Sequence, residues 1–286
     1  MREFLFYICV VSKFNIMIKK FIILLFLHIF IVIFSQNLTV KYELNYHPSS
    51  NKKDSIRSKL YFLDIVNNES IFRDAMRRQS DSLIFYGNGY GLGYPNNIND
   101  QLYLRKNLND HSLLKYIVLP LSRDIFFVKI NESLNWKLSA ETKMIEKLKC
   151  QKAEVDYGGR IWTAWFTKEI PFQEGPYLFN GLPGLIVEIY DSSKDYFFKL
   201  ASTRKSYHKD LFAMKGGRQV SWEDLIKIQL EYYNDPFSKV QNLKVMTDDG
   251  AGGLKKVNLR EGSISIQNNI KEYNNVIELN KKIEYK

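Results

Sequence analysis

His47, His111 and His208 are the residues that first invite a chemical reading, together with the carboxylate pairs Asp248–Asp249 and Glu169–Glu174. Zinc hydrolysis needs histidines at ligand spacing, and these three lie far apart in polar surroundings, so each reads as a surface histidine. The paired acids have the types that general acid–base chemistry uses, but they sit among turn residues and read as solvated loop acids. No G-x-S-x-G elbow occurs. In "GNGYGLGYP" (87–95) Leu92 stands where a dinucleotide loop needs glycine, and "GAGGLKK" (250–256) lacks the Gly-Lys-Ser/Thr of a P-loop. The sequence therefore offers no catalytic residue, no metal site and no cofactor.

Two features suit binding better than catalysis. The run "RIWTAWF" (160–166) alternates so that Arg160, Trp162, Ala164 and Phe166 point one way and Ile161, Thr163 and Trp165 the other. Both faces are apolar, which means that both are covered or that one floors a ligand groove; Arg160, Trp162 and Trp165 are the candidate binding residues. Cys150 is the single cysteine after residue 36. Lys147, Lys149 and Lys152 would favour its thiolate if it were exposed, but a lone cysteine usually behaves as a small buried hydrophobe, and burial is expected.

The elements that must position these groups read mainly as strands. "LTVKYELNY" (38–46) alternates apolar and polar residues, and similar segments occupy 59–65, 82–86, 102–105, 116–119, 124–130, 135–140, 152–157, 160–166, 185–191 and 196–202. Turn residues at "YGGR" (157–160) and "DSSKD" (191–195) join neighbours as hairpins. Helices are expected over "SIFRDAMRRQS" (70–80) and "SWEDLIKIQLEYY" (221–233), the latter opened by a Ser221/Asp224 cap. The expected fold is mainly β: a broad curved antiparallel sheet, half-barrel-like, with one or two covering helices.

Of the 286 residues, the first 36 read as a leader. Lys19-Lys20 precede an apolar run from Phe21 to Phe34, broken only by His28, which is shorter than a membrane span requires. The basic pair points to Met17 as the start, with cleavage near Ser35 or Gln36. No cysteine ends the run, which speaks against a lipid anchor. Residues 37–286 then hold 37 basic and 30 acidic residues, a net of +7. These charges are interspersed rather than gathered in a stripe, which argues against nucleic-acid binding. The expected layout is a leader over 1–36, a β domain over 37–240 and a weakly packed tail over 241–286.

The stretch "FNGLPGLIVEIYD" (179–191) ties these readings together. Gly181 can take a positive φ, Pro183 forces Leu182 to be extended, and Gly184 allows a close approach as Leu185 and Ile186 begin a strand. With Trp136, Cys150-x-x-Ala153, Gly159-Arg160, Trp162-x-Ala164-Trp165-Phe166, Ile170-Pro171 and Gly175-Pro176-Tyr177, it makes the segment 136–191 resemble the GLPGLI family of secreted Bacteroidetes proteins, whose activity is unknown. One departure is the missing glycine shortly before Cys150. The resemblance implies export to the periplasm or cell envelope. The functional expectation is a noncatalytic protein that binds an envelope protein or a small apolar or peptide ligand, with no membrane span left after cleavage. Its alternatives are a hydrolase or peptidase with an unrecognised site and a purely structural envelope component.

Overall fold

The computed structural model describes Lys19, residues 37–87, Gly91, and residues 97–206, 210–214, 216–240 and 246–286. The expected leader, Lys19 apart, His208 and most of the 87–95 loop lie outside this set. Six strands form the first half of the sheet: β1 (Leu38–Tyr46), β2 (Arg57–Val66), β3 (Glu69–Asp74), β4 (Tyr103–Asn107), β5 (Leu113–Val118) and β6 (Ile125–Ile130). Five form the second: β7 (Lys137–Ile145), β8 (Leu148–Tyr157), β9 (Arg160–Thr167), β10 (Leu185–Asp191) and β11 (Tyr196–Lys205). Each half is an antiparallel meander, and the two are sewn together where β11 lies along β1 from Leu38↔Lys205 to Tyr46↔Tyr196. The short β12 (Arg218–Gln219) adds a parallel strand beside β6, which makes the twelve-stranded sheet mixed. A separate hairpin pairs β13 (Met246–Asp248) with β14 (Leu254–Lys256).

The sheet runs from β12 at one edge to β7 at the other and is not closed into a barrel. It does bend around one core. Leu104 and Leu113 from the first meander share a buried cluster with Val155, Trp162 and Phe198 from the second. Tyr177, Leu178, Phe179 and Leu182, from the connection between β9 and β10, plug this inner face. The apolar residues of β1 fall on alternate positions as expected, with Val40, Tyr42, Leu44 and Tyr46 all buried. The β8–β9 turn also forms as read, with Gly158 and Gly159 at φ +65° and +76°.

The described residues hold three α-helices: α1 (Ala75–Gly87), α2 (Trp222–Asn234) and α3 (Leu259–Glu272). Ser221 caps α2, accepting the Asp224 N–H as its pattern predicts. The helix expected over 70–80 and the strand expected over 82–86 are both corrected. Residues 69–74 are β3, buried on both faces, and the helix occupies 75–87 instead. A run buried on both sides carries no alternation, so its period cannot separate strand from helix. α1 is also inverted: it buries Arg77, Ser80 and Asp81 and exposes Met76, Leu83 and Ile84. Part of the segment 241–286, expected as a weakly packed tail, is seated in the fold. Ile270, Asn275, Ile277 and Glu278 are all buried, and α3 packs near α2 beside β5 and β6. Among the described residues no helix is long and apolar enough to cross a membrane.

Candidate functional site

Arg160, Trp162 and Trp165 keep the alternation read from the sequence, but each is occupied by the protein itself. Trp162 is 0% exposed, its indole N–H donates to the Tyr157 carbonyl at 3.1 Å, and its ring lies 4.7 Å from that of Phe179. Trp165 faces the opposite side, packed with Cys150 and Val187, while the Lys143 ammonium lies 4.3 Å from its ring centre. Cys150 is fully buried there; desolvation, then the Glu188 charge, push its thiol up to about 11. Neither tryptophan is an open floor for a ligand.

The glycine motif builds the connection between β9 and β10. Gly184, at φ +149°, lies so close to Thr167 that a Cβ would overlap that residue's carbonyl oxygen. Gly181, at φ +86°, has open space beside it. Its N–H donates to the Gln173 carbonyl at 3.0 Å, and the Leu185 N–H donates to Ile170 at 3.0 Å, so the loop closes on itself before the strand starts. Leu182, Leu185 and Ile186 are buried, Pro183 is exposed, and the Tyr42 hydroxyl donates to the Ile186 carbonyl at 2.7 Å.

Glu174, on this loop, is a buried acid rather than a solvated one. It pairs with Lys106 of β4 at 2.7 Å, with the Ser70 hydroxyl at 3.3 Å from the same oxygen. The two side chains are 1% and 4% exposed, and desolvation lowers the Lys106 pKa against the pull of Glu174. Above the pair opens a cleft of about 390 Å³. Its rim carries Asn67, Asn68, Asn109 and Gln173, with Phe172 and Gly181 beside them. Asn67 and His111, at the tips of the β2–β3 and β4–β5 turns, both take positive φ. The arrangement suits a ligand that is uncharged and rich in hydrogen-bonding groups, because the charges on the floor already neutralise each other.

A second polar cluster surrounds Arg160. Its guanidinium donates to Asp191 at 2.8 Å and to Asp195 at 3.3 Å. It also receives the C-terminal segment, donating to the Asn275 side chain at 2.6 Å, the Val276 carbonyl at 2.9 Å and the Ile277 carbonyl at 3.1 Å. The Tyr196 hydroxyl takes the Asn275 carbonyl at 2.6 Å. Glu278 is held by Lys115 at 2.6 Å and by the hydroxyls of Tyr157 and Tyr177. Burial, then the nearby Glu278 charge, raise both phenols above their ordinary pKa, so they stay donors at neutral pH.

His111, exposed in its turn, also lines the cleft above Lys106, so the fold brings it to the same site as Glu174. The remaining candidates do not converge. His47 lies 3.7 Å from Asp195, and Asp249 accepts N–H groups of its own loop. Glu169 is exposed on the surface and accepts the Lys149 N–H. Among the described residues no group of three histidine, cysteine or acidic side chains gathers as for a metal ion. Sequence reasoning missed Lys106, Lys115 and Glu278. Lysines on alternating strands carry no mark of burial, and only the pairing of distant strands reveals their partners.

Residues 158–188 match a family model described as a protein of unknown function (Porph_ging). That segment contains the β8–β9 glycines, Arg160, Glu174, Tyr177 and the glycine motif. No curated protein matches the chain. Two solved structures, described as PNGF-II in the C2 and P21 space groups, are similar at 13% and 12% identity with TM-scores of 0.46 and 0.47. They match 65% and 66% of this chain, which spans about a third of theirs, 31% and 33%. By its matched segment, the chain is similar to a family whose function is not known.

Proposed function

We propose that the chain is an exported, noncatalytic binding protein of the periplasm or cell envelope, of the GLPGLI type, whose ligand enters the cleft above Lys106 and Glu174. The carrying observation is that cleft: about 390 Å³, rimmed by amides, floored by a neutralised buried pair, and formed by the motif loop itself. Buried ion pairs lining a cleft mark functional-site candidates, and convergent polar groups around a partly apolar hollow are the usual form of a ligand site. Side-chain amides match the donors and acceptors of a peptide backbone, and Phe172 offers an apolar contact beside them. A short uncharged peptide is therefore the favoured ligand class.

Calorimetric titration with uncharged tri- to pentapeptides tests this reading. Saturable binding that weakens at least tenfold in Asn68→Leu, at unchanged melting temperature, is expected. Absence of binding across such peptides overturns it. Mass spectrometry of the same mixtures separates the hydrolase alternative, because a binding protein returns its peptide intact.

A further inference from the structure

The segment 275–278 is seated in a receptor rather than woven into the sheet. It belongs to no strand. The carbonyls of Asn275, Val276 and Ile277 are received by the side chains of Tyr196 and Arg160, and Glu278 by Lys115, Tyr157 and Tyr177. Two of its backbone N–H groups nearby reach main chain, from Asn275 to Pro48 and from Asn280 to Gly158. Ile277 is 2% exposed and joins the inner core, and the segment leaves only about 40 Å³ between itself, β5 and α2. Gly158 and Gly159 lie flat beneath Glu278 and Asn280, where a Cβ would come within 3.1 and 3.3 Å of them. This is how a groove reads a peptide: side-chain donors for carbonyls, one apolar pocket, and one cationic pocket for a carboxylate.

We infer that this groove is a docking site for an extended acidic segment of a partner protein, and that residues 275–278 occupy it in cis. The chemistry of the occupant is written in the seated segment: a side-chain amide, then an apolar residue directly before a carboxylate three positions after the amide. Charge complementarity argues for an acidic occupant through Lys115, which among the described residues is paired with the carboxylate of Glu278 alone; Arg160 is already paired with Asp191 and Asp195 and serves the occupant's carbonyls. The receptor glycines, Arg160 and Tyr177 fall inside the matched segment 158–188, and the occupant falls outside it. The tether sets the terms of exchange. A linked segment acts at an effective concentration of about 1 mM, so a free segment of equal affinity reaches the groove only when the tethered one is weakened.

The groove is distinct from the cleft over Lys106, so failure here leaves the proposed ligand site standing. The test uses the full chain as wild type and as Glu278→Gln, which removes the strap's charge and leaves Lys115 in need of one. The probe is a labelled peptide of sequence Tyr-Asn-Asn-Val-Ile-Glu-Leu-Asn, corresponding to 273–280, and a control peptide with glutamine for the glutamate. Glu278→Gln should bind the acidic peptide at least tenfold tighter than wild type does, and at least tenfold tighter than it binds the control. A folded variant that binds neither peptide, or both alike, overturns the inference. So does a dimer in light scattering under the same conditions, which would assign the groove to a second copy's tail. Should the variant not fold, amide exchange in the wild-type chain decides. Exchange at Asn275 and Asn280 well ahead of the β1 and β11 amides supports a displaceable strap, and exchange in step with them overturns it.

Discussion

Gly184 and Gly181 share a motif but do different work, and substitution separates them. Valine at either position meets a backbone that L residues rarely adopt, a strain of roughly 1–2 kcal/mol. At Gly184 the new side chain also collides with the Thr167 carbonyl, whereas Gly181 faces open space. Overpacking of that kind adds about 1–3 kcal/mol. Thermal melting should therefore fall clearly for Gly184→Val, less for Gly181→Val, and least for Pro183→Ala, which loses about 0.4–1 kcal/mol through the unfolded chain; equal melting of the two glycine variants would refute the difference in crowding. Cys150 gives a second residue-scale test. Its folded pKa of about 11 lies above the ordinary 9.0, so burial of the neutral thiol stabilises the fold fully below pH 9.0 and progressively less as pH rises toward 11. Native protein at neutral pH should resist maleimide and react on unfolding. The glycine role was legible because φ and proline restrict a chain locally. The partners of Arg160 were not, because they stand 31 to 117 positions away.

Between elements, the bond that matters most to the candidate cleft is Lys106 of β4 with Glu174 of the motif loop. Breaking a buried pair by removing one partner costs about 3–5 kcal/mol, while replacing both with apolar residues of similar size is often neutral. Glu174→Leu should accordingly lower the urea midpoint strongly, and adding Lys106→Met should restore much of it. Additive losses would mean that the two residues do not act as a pair. At this scale the sequence was readable wherever a strand had one wet face, as in β1, or a helix had a capping serine, as in α2. It misled at β3 and α1 because burial there is two-sided in one and polar in the other. A buried Arg77–Asp81 pair with Ser80 alongside looks, in sequence, like a solvated face.

At the scale of the molecule, alternation and turn spacing sufficed for a mainly β fold, but not for strand order. That β11 lies along β1 follows from how the two meanders close on one core, a property of no single segment. The buried part of the segment after 240 was hidden for the same reason: Asn275, Ile277 and Glu278 sit in lysine- and asparagine-rich text and are buried by long-range partners. Export, which rests on Lys19-Lys20 and the apolar run to Phe34, is checked by N-terminal sequencing of the secreted protein. A first residue within a few positions of Asn37 is expected, and a secreted chain that still begins at Met1 or Met17 would contradict cleavage.

The seating of Glu278 has a temporal side. Lys115 and Glu278 are 163 positions apart, and Arg160 and Asn275 are 115 apart. Loops of that span lose entropy before any contact repays it, so such pairings form late. Weakening the segment should leave the refolding limb of a chevron nearly unmoved and steepen escape from the native state, since interactions absent from the transition state are felt in the unfolding rate alone. The residues at 275–278 would thus act as the latch of this protein's kinetic lifetime.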